Sequence, residues 1–220
     1  MGLLFLLLIL AFFFPVLLYP LVIFLGLFLL FIPIKFTIDS FFNIFFIPRQ
    51  IYQIATNSRL RKNHALEHAT VNVLEKDFGY NRLSGYATEN GFYIIGAQDI
   101  NYVLQGAKQG LQLMRNGQGE LAIHDHCGTS RIVANFVSAI IFIVLLVTTG
   151  QFSIFNIIIA LLLAHMISPV LGKFVQRNFT TTPDVEEMEI DSAKFETNGS
   201  VFSQKSAKIF VKTSEIPFVS

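Results

Sequence analysis

The sequence predicts an α-helical membrane protein with a small α+β cytoplasmic domain between a first span and a helical hairpin, followed by a short β-rich tail. Three observations predict it. The 220 residues are 53% hydrophobic and 14% charged, well below the roughly 25% charge of ordinary soluble domains. Long uncharged apolar runs flank a polar central stretch. That stretch holds four of the five histidines and the single cysteine, in two short clusters. A net charge of +1 gives no basis for nucleic-acid binding, so the expected partner is the lipid bilayer. One cysteine excludes an intrachain disulfide.

Residues 1–36 form the expected N-terminal transmembrane segment. Gly2 to Ile34 carries no charge and exceeds the roughly 20 residues a spanning helix needs. It lacks the basic start, the short apolar core and the cleavage site of a signal peptide. Pro15 and Pro20 leave a kinked single helix or a hairpin of two short helices, of which the single span is the expectation. Residues 37–58 read as an interfacial linker, with Phe41, Phe42, Phe45 and Phe46 at helical spacing.

Residues 59–130 read as an α+β domain. Leu60 to Phe78 has no Pro or Gly, and Gly79 sits at the expected stop. Ser84–Thr88 and Phe92–Gly96 read as strands joined at Asn90-Gly91, a pair that favours a type I′ turn. Asp99 is placed to cap a second helix ending at Gly117, with an apolar stripe of Val103, Leu104, Ala107, Leu111 and Met114. Leu121 to His124 reads as a third strand. Residues 131–172 form a transmembrane hairpin turning at Gly150-Gln151. Arg131 and Lys173 flank its ends and the tip is uncharged, so both ends and the polar domain are expected in the cytoplasm. His165 lies inside the last span, where a bond to a neighbouring helix through Asn135 or Ser138 is the plain expectation. In the tail, 173–220, Asn198-Gly199 signals a second hairpin and Lys208–Thr213 alternates as a strand.

The chemistry is carried by Asn63-His64-Ala65-Leu66-Glu67-His68. On a helix, positions i, i+3 and i+4 share a face, so His64, Glu67 and His68 point one way. Two imidazoles a turn apart can chelate a metal ion, and the carboxylate between them can deprotonate a bound water. The order His-x-x-Glu-His is that of the inverted zincins. The second cluster is His124-Asp125-His126-Cys127-Gly128-Thr129. Imidazole and thiolate are zinc's preferred ligands, which makes His64, His68, His124 and Cys127 the candidate metal ligands. Glu67 is then a catalytic base, or a group that orients a histidine. Four protein ligands would close the site, whereas three would leave room for water. Both arrangements stay open at this point, as does a scaffold without metal.

Together, His64-x-x-Glu67-His68 and His124-x-x-Cys127-Gly128-Thr129 resemble motifs of an uncharacterised integral membrane family of cyanobacteria and other bacteria, classed as a domain of unknown function. More distantly they are similar to the YqhQ-like membrane proteins. The resemblance runs from about Arg61 to the start of the second membrane region. It implies a bacterial plasma membrane or thylakoid location and one site built from both clusters, and it transfers no reaction. Asp125 stands where the family pattern has proline.

Overall fold

The computed structural model describes residues 15–125, 127–196 and 208–216, together with Phe5, Leu6, Ile9 and Phe12. Its first described element, α1, runs from Pro15 to Ala55 with Pro20, Pro33 and Pro48 inside it. Its 41 residues extend about 60 Å, twice the roughly 30 Å of a bilayer's hydrocarbon core. The division between a span ending at residue 36 and an interfacial linker from 37 has no counterpart in the backbone. Lys35 pairs with Asp39 one turn on, so the first charges do not end the helix. Ile32 and Phe36 pack against a cluster centred on Phe142 of the second membrane region. The rings of Phe36 and Phe142 meet edge-on at 4.9 Å.

Helices α4 (Gly128–Thr149) and α5 (Ile154–Val175) form the expected hairpin. Gly150 takes the left-handed conformation at its tip, with φ 65°. Asn156 closes the tip by donating to Thr149 Oγ1 and the Gln151 carbonyl. Among the described residues, three helices are long and apolar enough to cross a membrane, within Tyr19–Ala55, Gly128–Thr149 and Ile154–Thr180. His165 lies exposed on α5. Ser138 Oγ donates to the Asn135 carbonyl of its own helix instead of meeting His165. At the opposite end of the hairpin, a Cβ on Gly172 would lie 2.6 Å from Ser130 Oγ and 3.1 Å from Ser130 Cα. Gly172→Ala should therefore force α4 and α5 apart and destabilise the protein by about 1–3 kcal/mol, despite alanine's better helix propensity. Thermal unfolding in detergent checks this against Gly26→Ala, whose Cβ meets nothing within 4 Å.

Between the membrane elements, α2 spans Ser58–Asp77. Asn57 caps it, its side chain accepting from Leu60 N–H. Its end is closed by the Phe78 and Tyr80 N–H groups on the Leu74 carbonyl, with Gly79 at φ 72°. Strands β1 (Ser84–Thr88) and β2 (Gly91–Ile95) form the first hairpin. The positive φ sits on Gly91, at 148°, and not on Asn90, so the turn is not the expected type I′. Helix α3 (Ile100–Arg115) is capped by Asp99. It buries Val103, Ala107, Leu111 and Met114, and leaves Leu104 half-buried. Gly106 and Gly110 let α3 approach Leu74 and Ala69 of α2 closely.

The tail is not a separate unit. Strands β3 (Met188–Glu196) and β4 (Lys208–Glu215) complete one antiparallel sheet in the order β1-β2-β4-β3. Ile209, Val211 and Thr213 turn inward, as their alternation predicts. The segment at Asn198-Gly199 lies outside the described residues. The core joins Leu66 and Leu74 of α2, Val103 of α3, and Phe92, Ile94, Ile209 and Val211 of the sheet. Lys62, buried on α2, donates to Glu187 Oε2 at 2.7 Å. Asn63, fully buried beside it, donates to the Thr88 and Glu89 carbonyls and accepts from Thr213 Oγ1. These bonds fix the rotation of α2 against the sheet.

The expected strand at Leu121–His124 is instead a 3₁₀ turn, Gly119–Ala122, followed by extended chain. Side chains of α2 take up its backbone. Asn72 donates to the Leu121 and Ile123 carbonyls, and His68 bonds the Ala122 carbonyl.

Candidate metal centre

The rotation of α2 sends His64, Glu67 and His68 toward the turn before α4. His64 Nδ1 lies 2.9 Å from the Thr180 carbonyl, and His68 Nδ1 lies 2.7 Å from the Ala122 carbonyl. A carbonyl only accepts, so each Nδ1 carries the proton. Each neutral ring then presents an Nε2 lone pair. The rings lie 4.4 Å apart. His68 Nε2 is buried and has no hydrogen-bond partner among the described residues. A buried acceptor without a partner is costly, and coordination of a cation would satisfy it. Burial, with the neighbouring His64, holds His68 well below the ordinary histidine range, which keeps that lone pair available.

The third donor comes from the N-terminus of α4, one of the helices long and apolar enough to cross a membrane. Cys127 caps α4, its Sγ accepting from Thr129 N–H at 3.3 Å, and Sγ lies 3.4 Å from His64 Nε2. Bonds of about 2.0 Å to nitrogen and 2.3 Å to sulfur, meeting at a tetrahedral angle, place the two donors about 3.5 Å apart. One ligand atom from each of His64, His68 and Cys127 lies within 4.8 Å of the others. Burial pushes the Cys127 thiol up, while the Thr129 and Ser130 backbone groups act the other way. The donor types and spacing fit a zinc-like ion.

Glu67 stands beside this group. Its Oε2 is 3.7 Å from His64 Nε2 and 4.0 Å from His68 Nε2. Burial pushes its carboxyl up to about 8, opposed by His64. A cation held by the three donors would lower it again. The carboxylate rests over Gly85 of β1, where a Cβ would come 2.6 Å from Oε1.

His124 is placed differently from the other candidate ligands. Its Nε2 lies 3.6 Å from Glu75 Oε2, and its ring is 5.9 Å from that of His68. It borders a cleft of about 740 Å³ that Asn72, Glu75, Lys173 and Arg177 also line. Lys173 pairs there with Asp125. His126 lies outside the described residues.

Two supporting groups carry no motif. Gln176 is fully buried in the π-helical turn Gln176–Thr180 that ends α5. Its Oε1 accepts from His124 N–H and its Nε2 donates to Ser130 Oγ, so it grips both sides of the Cys127 turn. Four residues on, Thr180 supplies the carbonyl for His64. A polar glutamine just past an apolar span was the one signal available for Gln176. A backbone carbonyl leaves none.

The family described as Domain of unknown function (DUF6391) matches residues 59–193, which include every residue of this centre. An uncharacterized protein of Picosynechococcus sp. is 33% identical over 134 residues, covering 56% of this chain and 65% of that protein. No solved structure matches. With more than half of its length matched by that family's model, the chain belongs to the DUF6391 family.

Proposed function

We propose that this chain is a membrane-anchored, metal-dependent hydrolase acting on amide bonds, with zinc held by His64, His68 and Cys127 and the site facing the cytoplasm. The observation that carries this reading is the pair of histidines whose Nδ1 atoms are tied to backbone carbonyls, with His64 Nε2 3.4 Å from Cys127 Sγ and a ligand atom of each of His64, His68 and Cys127 within 4.8 Å of the others. Such bonds orient and strengthen imidazole ligands. With His124 3.6 Å from Glu75, the donor group among the described residues is His64, His68 and Cys127, and three protein donors would leave a position for water, the arrangement of catalytic zinc. The ion supplies Lewis-acid chemistry, making a coordinated water acidic near neutral pH and polarising a carbonyl.

With an ion held there, Glu67 would accept one proton from the attacking water as the new C–O bond forms and would return it to the amide nitrogen as the C–N bond breaks, one water being consumed per bond. Its low polarity surroundings suit a proton shuttle. The burial of His68 and Cys127 favours a second reading, a structural ion joining α2 to the α4 turn. Either way, a chelator should open residues 59–130 to limited proteolysis in detergent and leave the spans intact. An unchanged cleavage pattern counts against a bound ion.

Orientation is testable separately. In a Cys127→Ser background, Lys108→Cys on the exposed side of α3 should react with an impermeant maleimide only after the cells are permeabilised. Gln151→Cys at the hairpin tip should react from outside. The reverse pattern would place the site on the other side of the membrane.

A further inference from the structure

We propose that the free edge of β1 binds an extended polypeptide as an added strand and delivers one of its backbone amides to Glu67 and the His64–His68–Cys127 group. Among the described residues the sheet ends at β1. Thr88 pairs with Gly91 across a two-residue turn, and Tyr86 pairs with Tyr93. These alternate positions bond to β2, so Gly85 and Ala87 turn their N–H and C=O groups to the open edge. Gly85 is also the residue under the Glu67 carboxylate. A strand added there would lie about 4.8 Å from β1, alongside the residue on which the Glu67 carboxylate rests.

The two edges of the sheet differ in a way that supports this assignment. Exposed edges are ordinarily blunted by charges, prolines or bulges. The β3 edge carries Glu189, Asp191, Lys194 and Glu196, and its register shifts between Ile190 and Ser192. The β1 edge, Ser84-Gly85-Tyr86-Ala87-Thr88, carries no charge and no proline. Main-chain pairing at such an edge gives affinity for extended peptide with little demand on its side chains. This identifies the substrate class of the proposed hydrolase and rests on that reading for the reaction, although strand addition itself does not require the ion.

The test uses the full chain in nanodiscs, loaded with zinc. The probes are an alternating leucine–threonine hexapeptide hydroxamate, the same peptide with its central amides N-methylated, octanoyl hydroxamate and acetohydroxamate. The hexapeptide should bind at least 100-fold more tightly than acetohydroxamate. N-methylation, or Ala87→Pro in the protein, should remove at least tenfold of that advantage. Proline at 87 removes an edge-facing N–H and no ladder bond, and the N-methylated probe leaves the protein unaltered should that variant misfold. Hydrogen exchange at Gly85 and Ala87 should slow when the peptide binds. If no hydroxamate binds but the same hexapeptide, made with a C-terminal carboxamide in place of the hydroxamate, still slows exchange at both residues, the hydrolase reading fails and strand addition stands. Unchanged exchange at both residues overturns the proposal. So does octanoyl hydroxamate binding as tightly as the peptide, which would point to a lipid substrate.

Discussion

Glu67→Gln should keep its metal and its fold, and lose hydrolysis by roughly two to four orders of magnitude. The variant preserves side-chain volume and a hydrogen-bonding carbonyl at a site where Glu67 is 5% exposed, but it cannot accept a proton from water. Neither histidine depends on Glu67 for its tautomer, because Thr180 and Ala122 fix both. Metal content and cleavage, measured on the same preparation, separate the roles. Loss of metal together with activity would make Glu67 a ligand or an orienting group. Full metal and full activity would leave it a polar residue on a buried helix face.

Gln176→Leu should weaken metal binding by about tenfold to a hundredfold, the usual cost of removing a group that orients a ligand. Leucine fills much the same space, but it leaves the His124 N–H and Ser130 Oγ without the partners Gln176 provides. Those two groups bracket Cys127, so the thiol would lose its fixed distance to His64. Each buried group left without a partner also costs about 1–3 kcal/mol. Competition with a chromophoric chelator reads the affinity, and the alkylation rate of Cys127 reads the turn directly. An unaltered affinity with unaltered alkylation would show that α4 holds the turn without help from α5.

Much of the candidate site could be read from the sequence because its strongest signals are local. The spacing of His64, Glu67 and His68 is fixed by one helix turn, and helix ends are marked locally, by the backbone freedom of Gly79 and by the capping carboxylate of Asp99. What escaped the sequence depends on distant partners. Leu121–His124 looks like a strand, yet Asn72 and His68 occupy its carbonyls. His124 has a ligand's chemistry, but its direction is set by packing, and the structure turns it to Glu75. The junction near residue 37 looked like a boundary because the first charges, Lys35 and Asp39, fall on either side of it. The Lys35–Asp39 pair and the contact between Phe36 and Phe142 carry the helix through it. The strand order joining β4 to β2 brings together residues more than a hundred positions apart, a pairing no local pattern encodes.

The proposed function requires His64, His68 and Cys127 to hold one ion, and elemental analysis of the purified protein measures that directly. One mole of metal per mole of chain is predicted, zinc where zinc is available. His64→Ala and Cys127→Ala should each fall to a small fraction of that value, while a conservative change at the exposed His165 should leave it untouched. Metal-free wild-type protein with its thiol and histidines intact, purified without chelator and refractory to added zinc or cobalt, would contradict it.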